Sequence, residues 1–248
     1  MNHFQARLEY YYYLANVGVV RGLPETAARK LASAVAHLLF ARGGRRLDAA
    51  LANLALAYPD LSARERREIA RESWVQTAWA MLDAVRSRAW SEEELRRRVR
   101  FENLERLEQA LARGRGALLL TLHFGSIELA IVTLPLAGIP LTVVGRPLPN
   151  PWIRRHMAQQ RTRTGAQLLE HHDVAPRILD ALRQGRAVAF LNDQYARRTG
   201  GILSPFFGAR CFTAPGISLL ALRSGAPVLP YYTVREQPDR HLDRKSVV

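Results

Sequence analysis

What this chain has little of narrows its functions early. Its 248 residues hold one cysteine, Cys211, and two lysines, Lys30 and Lys245. A lone cysteine forms no intramolecular disulfide and no cysteine-based zinc site, which suits a cytoplasmic compartment. As a nucleophile Cys211 lacks a histidine nearby in sequence, and its Ala and Phe neighbours read as packing. No apolar run reaches the roughly 18–20 residues of a transmembrane helix. The longest, Tyr10–Val20 and Leu31–Ala41, fall well short. The first residues also lack the charged start, apolar core and small-residue cleavage site of a secretory signal. Acidic residues are scarce, 22 against 36 basic, for a net charge of +14. All but two of the basic residues are arginine. That excess predicts affinity for something anionic: nucleic acid, an anionic membrane surface or a phosphorylated substrate.

The chain reads in two parts, 1–113 and 114–248. The first is helical. Its apolar residues recur at three and four, as in Leu47, Leu51, Leu54 and in Ile69, Trp74, Ala78, Met81, Leu82, Val85. Tyr58-Pro59-Asp60 ends one helix, and Ser62 with Glu65 opens the next as a capping box. Ser91 followed by Glu92, Glu93 and Glu94 predicts a further helix through Leu107 and Leu111. The run Arg96-Arg97-Arg98-Val99-Arg100 reads as a solvated helix face balanced by neighbouring glutamates rather than a nucleic-acid patch. Tyr10 to Tyr13, with Phe4, Leu8 and flanking Arg7 and Arg21, form either an interfacial membrane anchor or a helix face packed on the protein.

From Gly114 onward, short apolar runs alternate with helical segments. Strands are expected at Ala117–Leu122, Leu141–Gly145, Gln167–Glu170, Ala187–Leu191 and Val228–Val234. Helices are expected near Ile127–Leu136, Ile153–Thr164, Val174–Gln184 and Pro215–Ser224. The fold class is therefore α/β, a mostly parallel sheet flanked by helices, with a helical N-terminal region. Ligands of such sheets bind beyond the carboxyl ends of the strands. There the sequence places His123, Gly145-Arg146-Pro147 and Asn192-Asp193-Gln194, so His123, Arg146 and Asp193 should share one edge.

His123-Phe124-Gly125-Ser126-Ile127-Glu128 follows the first of these strands. Within one helix, His123 and Glu128 would lie about 140° apart and never meet. The pair works only if His123 sits in a turn that Gly125 permits, with Ser126 as N-cap and Glu128 in the first helical turn. Glu128 would then fix the imidazole tautomer, leaving the other nitrogen free to take a proton from a hydroxyl. A metal site would need a third ligand, and the only other cluster is His171-His172-Asp173. Between Leu129 and Leu169 there is no acidic residue but Arg146, Arg154, Arg155, Arg161 and Arg163. Arg146 suits a phosphate or phosphopantetheine group. Arg154 and Arg155 suit a membrane or an acidic carrier protein, and Arg161 and Arg163 divide between such a role and a solvated basic face. A last segment carries Gly200-Gly201-Ile202-Leu203-Ser204-Pro205-Phe206-Phe207-Gly208. It can line an acyl pocket or touch lipid. Thr213 and Gly216 then open a helix whose amides suit an anion.

Together these motifs resemble the bacterial lipid A biosynthesis late acyltransferases, the lauroyl/myristoyl transferase family, within the glycerolipid acyltransferase group. His123-x4-Glu128 resembles its His-x4-Asp/Glu signature. Gly145-Arg146-Pro147, Asn192-Asp193-Gln194, Pro205-Phe206-Phe207-Gly208, Thr213-x2-Gly216 and Gly225-Ala226-Pro227-Val228-Leu229-Pro230 follow in the family's order and spacing. Asn53-Leu54 and Tyr58-Pro59 resemble its helical N-terminal part. The resemblance implies transfer of a fatty acyl group from acyl carrier protein or coenzyme A to a hydroxyl of a glycolipid, with a lipid A precursor as the expected acceptor. It places that reaction at the cytoplasmic face of the inner membrane, against an anionic membrane surface. His123 and Glu128 would be catalytic. Arg146, Asp193, Gln194, Phe206, Phe207, Gly208 and Thr213 would bind substrate, with no metal, no cofactor and no nucleic acid involved.

Members of that family usually start with a longer hydrophobic anchor and continue beyond the segment matching Val228–Arg235. Here Glu236-Gln237-Pro238-Asp239-Arg240-His241 reads as a polar tail, and a final strand and helix are expected to be missing. Alternatives are a catalytically inactive membrane-associated relative, or an acyltransferase acting on a lysophospholipid or another glycolipid.

Overall fold

The computed structural model describes residues 3–170, 174–194, 196–237 and 239–245, and of residues 242, 244 and 245 the backbone alone. The His171-His172-Asp173 cluster lies outside the described residues. Four helices come first: α1 (His3–Gly22), α2 (Glu25–Arg42), α3 (Arg45–Ala57) and α4 (Ala63–Arg86). The capping box forms as expected. Ser62 Oγ accepts from the Glu65 amide at 3.2 Å, and the Glu65 carboxylate accepts from the Ser62 amide at 2.7 Å. Phe40, Leu47 and Ala70 make a small core of their own, with Leu51, Leu54 and Trp74 against it.

The remainder alternates. It runs α5 (Glu92–Arg98), β1 (Val99–Glu102), α6 (Leu104–Leu111), β2 (Ala117–Thr121), α7 (Ile127–Thr133), β3 (Leu141–Val144), α8 (Pro151–Thr162), β4 (Gln167–Leu169), α9 (Ala175–Arg183) and β5 (Ala187–Leu191). Then come β6 (Ile202–Phe206), β7 (Ala209–Thr213), α10 (Gly216–Ser224), β8 (Val228–Gln237) and β9 (Arg240–Lys245). Seven strands form one sheet in the order β1-β9-β8-β2-β5-β3-β4. Its pairs are parallel except β8 with β9. Period-2 alternation sets the two cores. On β2, Ala117 and Leu119 face the cluster with Ala130, Ile131, Leu134 and Tyr231, while Leu118 faces Ile178, Leu182, Ile217 and Leu220.

Three expectations change. The helix expected from Ser91 through Leu111 stops at Arg98. Val99–Glu102 becomes β1, and Asn103 turns through a left-handed conformation (φ 58°) before α6. The cause is long-range: β1 pairs in parallel with β9, Val99 opposite His241. The expected polar tail is the end of β8 and the start of β9, whose His241 and Asp243 are buried. The Pro-Phe-Phe-Gly loop is an antiparallel hairpin, β6–β7, turning on Phe207 and Gly208. The arginine run is balanced, though not as one solvated helix face and in part by glutamates distant in sequence. Arg97 and Arg98 pair with Glu94, Arg98 also with Glu25, and Arg100 with Glu236.

Half of the tyrosine run takes the packed reading. Tyr10 stacks on Trp152 at 6.2 Å and Tyr13 meets His156 edge-on at 5.6 Å, both on α8. Tyr11 and Tyr12 are exposed, in line with Phe4, Leu8 and Val19 along one face of α1. No helix among the described residues is long and apolar enough to cross a membrane.

Candidate active site

Register brings the site together. Thr121, the last residue of β2, lies opposite Leu191, the last of β5, and one further bond runs from the Asn192 amide to the Thr121 carbonyl at 3.1 Å. His123 and Asp193 each stand two residues beyond those strand ends. The Asp193 carboxylate spans two groups of His123. Oδ2 accepts from the backbone amide at 2.7 Å and Oδ1 from the ring Nδ1 at 2.9 Å. A carboxylate can only accept, so Nδ1 carries the hydrogen and Nε2 of the neutral ring is left as an acceptor. The His123 side chain is 47% exposed and that of Asp193 33%, so the ring is held yet open to a substrate.

The turn below His123 needs glycine at 125. Gly125 has φ +64°, and a Cβ there would stand 2.1 Å from the Thr233 carbonyl oxygen of β8. Thr233 Oγ1 also donates to the Phe124 carbonyl at 3.3 Å, and the Phe124 ring meets Tyr232 edge-on at 6.1 Å. This locks the turn to β8 and keeps His123 outside α7, as the dyad argument required. Ser126 occupies the N-cap position, but its side chain makes no cap bond. Its Oγ is buried without a partner among the described residues.

The expected partner of His123 is engaged elsewhere. Glu128, in the first turn of α7, is gripped by Arg161 from the last turn of α8. Nε donates at 3.0 and 3.2 Å and Nη2 at 2.5 Å. Burial alone would depress the Arg161 guanidinium, but the hydrogen bonds and charge of Glu128, with the charge of Glu170, outweigh it and raise its pKa. Sequence spacing therefore pointed at the wrong carboxylate for the imidazole. Asp193, expected to bind substrate, supplies the contact instead. Arg161 was divided between a ligand role and a solvated one. Its position beneath Gly145, whose added Cβ would stand 3.6 Å from Arg161 Nη1, gives it a structural task. The one hint in the sequence was the absence of acids from 129 to 169, which left Arg161 no local partner.

The other arginines separate likewise. Arg154 pairs with Glu170 at 2.8 Å, and Arg163 donates to the carbonyls of Ser87 at 3.0 Å and Trp90 at 3.3 Å. Arg146 and Arg155 are exposed, with no partner among the described residues. Gln194 follows Asp193 and is exposed. Phe206, Phe207 and Gly208 stand at the hairpin tip. Thr213 ends β7, its Oγ1 3.8 Å from Cys211 Sγ, three residues before Gly216 opens α10. Behind the strand ends lies a cavity of about 20 Å³, lined by Thr121, Ile127, Val143, Leu191 and Tyr231 among others. That is room for about one water molecule, not an acyl chain.

Such a sheet, with one oriented imidazole open at its carboxyl edge, defines an α/β protein equipped for proton transfer to or from a hydroxyl. The chain belongs to the bacterial lipid A biosynthesis acyltransferase family, which matches residues 2–244. It is 29% identical over 193 residues to a lipid A biosynthesis palmitoleoyltransferase of Escherichia coli K12, covering 77% of this chain and 62% of that protein. It is 26% identical over 234 residues to a lipid A biosynthesis lauroyltransferase of the same strain, covering 92% and 76%. A lipid A biosynthesis myristoyltransferase, again of that strain, is 24% identical over 185 residues, covering 75% and 57%. The alignment with the palmitoleoyltransferase thus takes in less than two thirds of that relative's length.

Proposed function

We propose that this chain moves a fatty acyl group from a thioester donor, acyl carrier protein or coenzyme A, to a hydroxyl of a lipid A precursor. The observation that carries this reading is the bidentate hold of Asp193 on His123. Nε2 takes the proton of the acceptor hydroxyl as its oxygen attacks the thioester carbonyl. Asp193 steadies the imidazolium that forms. When the tetrahedral intermediate collapses, the carbon–sulfur bond breaks and the imidazolium returns its proton to the thiolate. The acyl ester and a free thiol are the products, and atoms and charge balance without a covalent enzyme intermediate. Arg146, exposed two residues past β3, is placed to meet a phosphate of either substrate or the developing oxyanion. Glu128 acts through Arg161 as a positioning residue under the end of β3.

Family membership supports the acceptor class. The exposed apolar face of α1 supports docking on a membrane surface, and the inner membrane's cytoplasmic face is where both substrates meet.

His123→Ala tests the chemistry. Loss of the general base should lower turnover about 10²- to 10⁴-fold with an unchanged circular dichroism spectrum and melting temperature. Transfer from acyl carrier protein to a lipid A precursor, followed by mass spectrometry, reads the result. Full turnover by the variant would overturn the mechanism. Coenzyme A donors and lysophospholipid acceptors run in parallel decide donor and acceptor.

A further inference from the structure

The β6–β7 hairpin breaks the rule by which a strand in water hides its apolar residues. Successive side chains on a strand point to opposite faces, so a half-buried strand alternates. On β6, Ile202 and Leu203 are 57% and 47% exposed, on opposite faces. Phe206 and Phe207 at the tip are 64% and 53% exposed, their rings edge to face at 4.7 Å. Among the described residues the hairpin's ladder is two-stranded, with one bond more from the Ala196 amide to the Phe212 carbonyl at 3.2 Å, and such a ribbon alone is marginal in water. Among the described residues its tip meets one ring outside the hairpin, Phe207 against Tyr58 at 6.0 Å. The turn also carries strain, since Phe207 is held at φ +46°, where non-glycine residues are disfavoured. Strain held in order to display two phenylalanines calls for something to receive them.

Charge names the receiver. From 194 to 235 the chain has no acidic residue, while Arg197 and Arg198 lie in the loop that leads to β6 and Arg210 lies on β7. All three are exposed, with no partner among the described residues. Arg197 and Arg198 lie at the base and Arg210, opposite Pro205, just behind the Phe206–Phe207 tip, which matches a ribbon lying along the boundary between acyl chains and anionic headgroups. The hairpin leaves β5 at the carboxyl edge of the sheet, the edge that carries His123.

We infer that the β6–β7 hairpin is a membrane-insertion element: Phe206, Phe207, Ile202 and Leu203 enter the interface of an anionic bilayer, with Arg197, Arg198 and Arg210 against lipid phosphates. This rests on the lipid-acceptor reading above and gives it a geometry, with the carboxyl edge of the sheet facing the bilayer. Insertion stops at the interface, because the ribbon's two open edges expose backbone groups that hydrocarbon cannot satisfy.

The single native cysteine makes the test direct. In the full chain with Cys211→Ser, a nitrobenzoxadiazole label is placed at Phe206→Cys and, as control, at Leu222→Cys. Leu222 is 83% exposed near the end of α10. Vesicles of phosphatidylglycerol with phosphatidylethanolamine should blue-shift and brighten the label at 206 and leave that at 222 unchanged. Pure phosphatidylcholine should do markedly less. An unlabelled Phe206→Ser chain should bind the anionic vesicles at least tenfold more weakly at unchanged melting temperature, which guards against a fold disturbed by labelling. The inference is overturned by an unchanged label at 206 on vesicle-bound protein, by equal responses at both sites, or by no vesicle binding. It is equally overturned if purified acyl carrier protein, and not vesicles, shifts the label at 206. No donor or acceptor is present, so these outcomes are independent of whether acyl transfer occurs.

Discussion

Two carboxylates lie within reach of the catalytic reading, and they have exchanged the tasks their sequence positions suggest. Asp193 holds the imidazole, whereas Glu128 holds Arg161. The consequences differ in kind. Asp193→Asn removes the charge that steadies an imidazolium and offers an amide donor where Nδ1–H needs an acceptor. Turnover should fall about 10²-fold or more while the melting temperature stays near that of the parent. Glu128→Gln leaves a largely buried guanidinium short of its counter-charge. Stability should fall by about 1.5–3 kcal/mol, with a smaller loss of turnover. Calorimetry and kcat measured on the same preparations separate the two. An inactive, fully stable Glu128→Gln alongside an active Asp193→Asn would restore the histidine–glutamate dyad. The sequence showed both acids at the sheet edge but not their division of labour. Five residues separate Glu128 from His123, and seventy separate Asp193 from it. Only the in-register pairing of β2 with β5 makes the distant acid the nearer one.

The elements the sequence revealed are those whose apolar content is decided locally. Strands β2, β3 and β5 are continuous apolar runs because helices cover both faces of the sheet, so burial itself writes the pattern. Strands β1 and β9 are not legible in this way. Their residues are charged, and they are strands because they pair with each other and with β8. What lets so polar a ribbon lie inside the molecule is a buried charge cluster. Asp83 of α4, fully buried, accepts from Arg29 of α2 at 3.1 Å and from Arg235 of β8 at 2.5 Å, with His241 Nε2 at 3.3 Å. Arg29 and Arg235 both lie over the Trp79 ring, at 5.2 and 5.5 Å. Burial would raise the Asp83 carboxyl, but bonds and charge from His241 and Arg235 outweigh it and hold its pKa below the ordinary 3.8. A carboxylate lowered in this way stabilises the fold above its unfolded pKa. That contribution is lost as pH falls through the lower, folded value. Asp83→Asn, which removes the carboxylate shared by Arg29 and Arg235 while Arg29 keeps Glu25, should cost about 3 kcal/mol near neutral pH. The difference from the parent should shrink below about pH 4. Urea unfolding followed by tryptophan fluorescence at both pH values checks this, and a constant difference across the range would refute it.

For the whole molecule, the distribution of charge matters more than its sum. The acid-free stretches surround β3 and carry the hairpin, so exposed Arg146, Arg197 and Arg198 follow the carboxyl ends of β3 and β5, while Arg96 and Arg97 are balanced by their own glutamates and Arg98 by Glu94 and Glu25. Helix α1 adds a second apolar surface towards the same edge. Its first turns are pinned to Asn150, just beyond β3, whose amide donates to the Ala6 carbonyl at 2.8 Å and to Glu9 at 3.0 Å. Phe4, Leu8, Tyr11 and Tyr12 are left exposed on the other side. Hairpin and helix together would fix the orientation of the sheet against a bilayer, where either alone would leave it free to roll. Leu8→Ser with Val19→Ser removes apolar side chains of the same helix face that are 62% and 60% exposed, so the melting temperature should change little. Full burial of such a side chain contributes about 1.5–3 kcal/mol, so even partial insertion of two predicts affinity for phosphatidylglycerol vesicles at least about tenfold weaker. Raising the salt to about 1 M shrinks the screening length to about 3 Å and should weaken parent and variant by a similar factor, because the arginines are untouched. Co-sedimentation at both salt concentrations reads both effects. Vesicle affinity unchanged by the double substitution would remove α1 from the docking surface and leave the hairpin to orient the sheet alone.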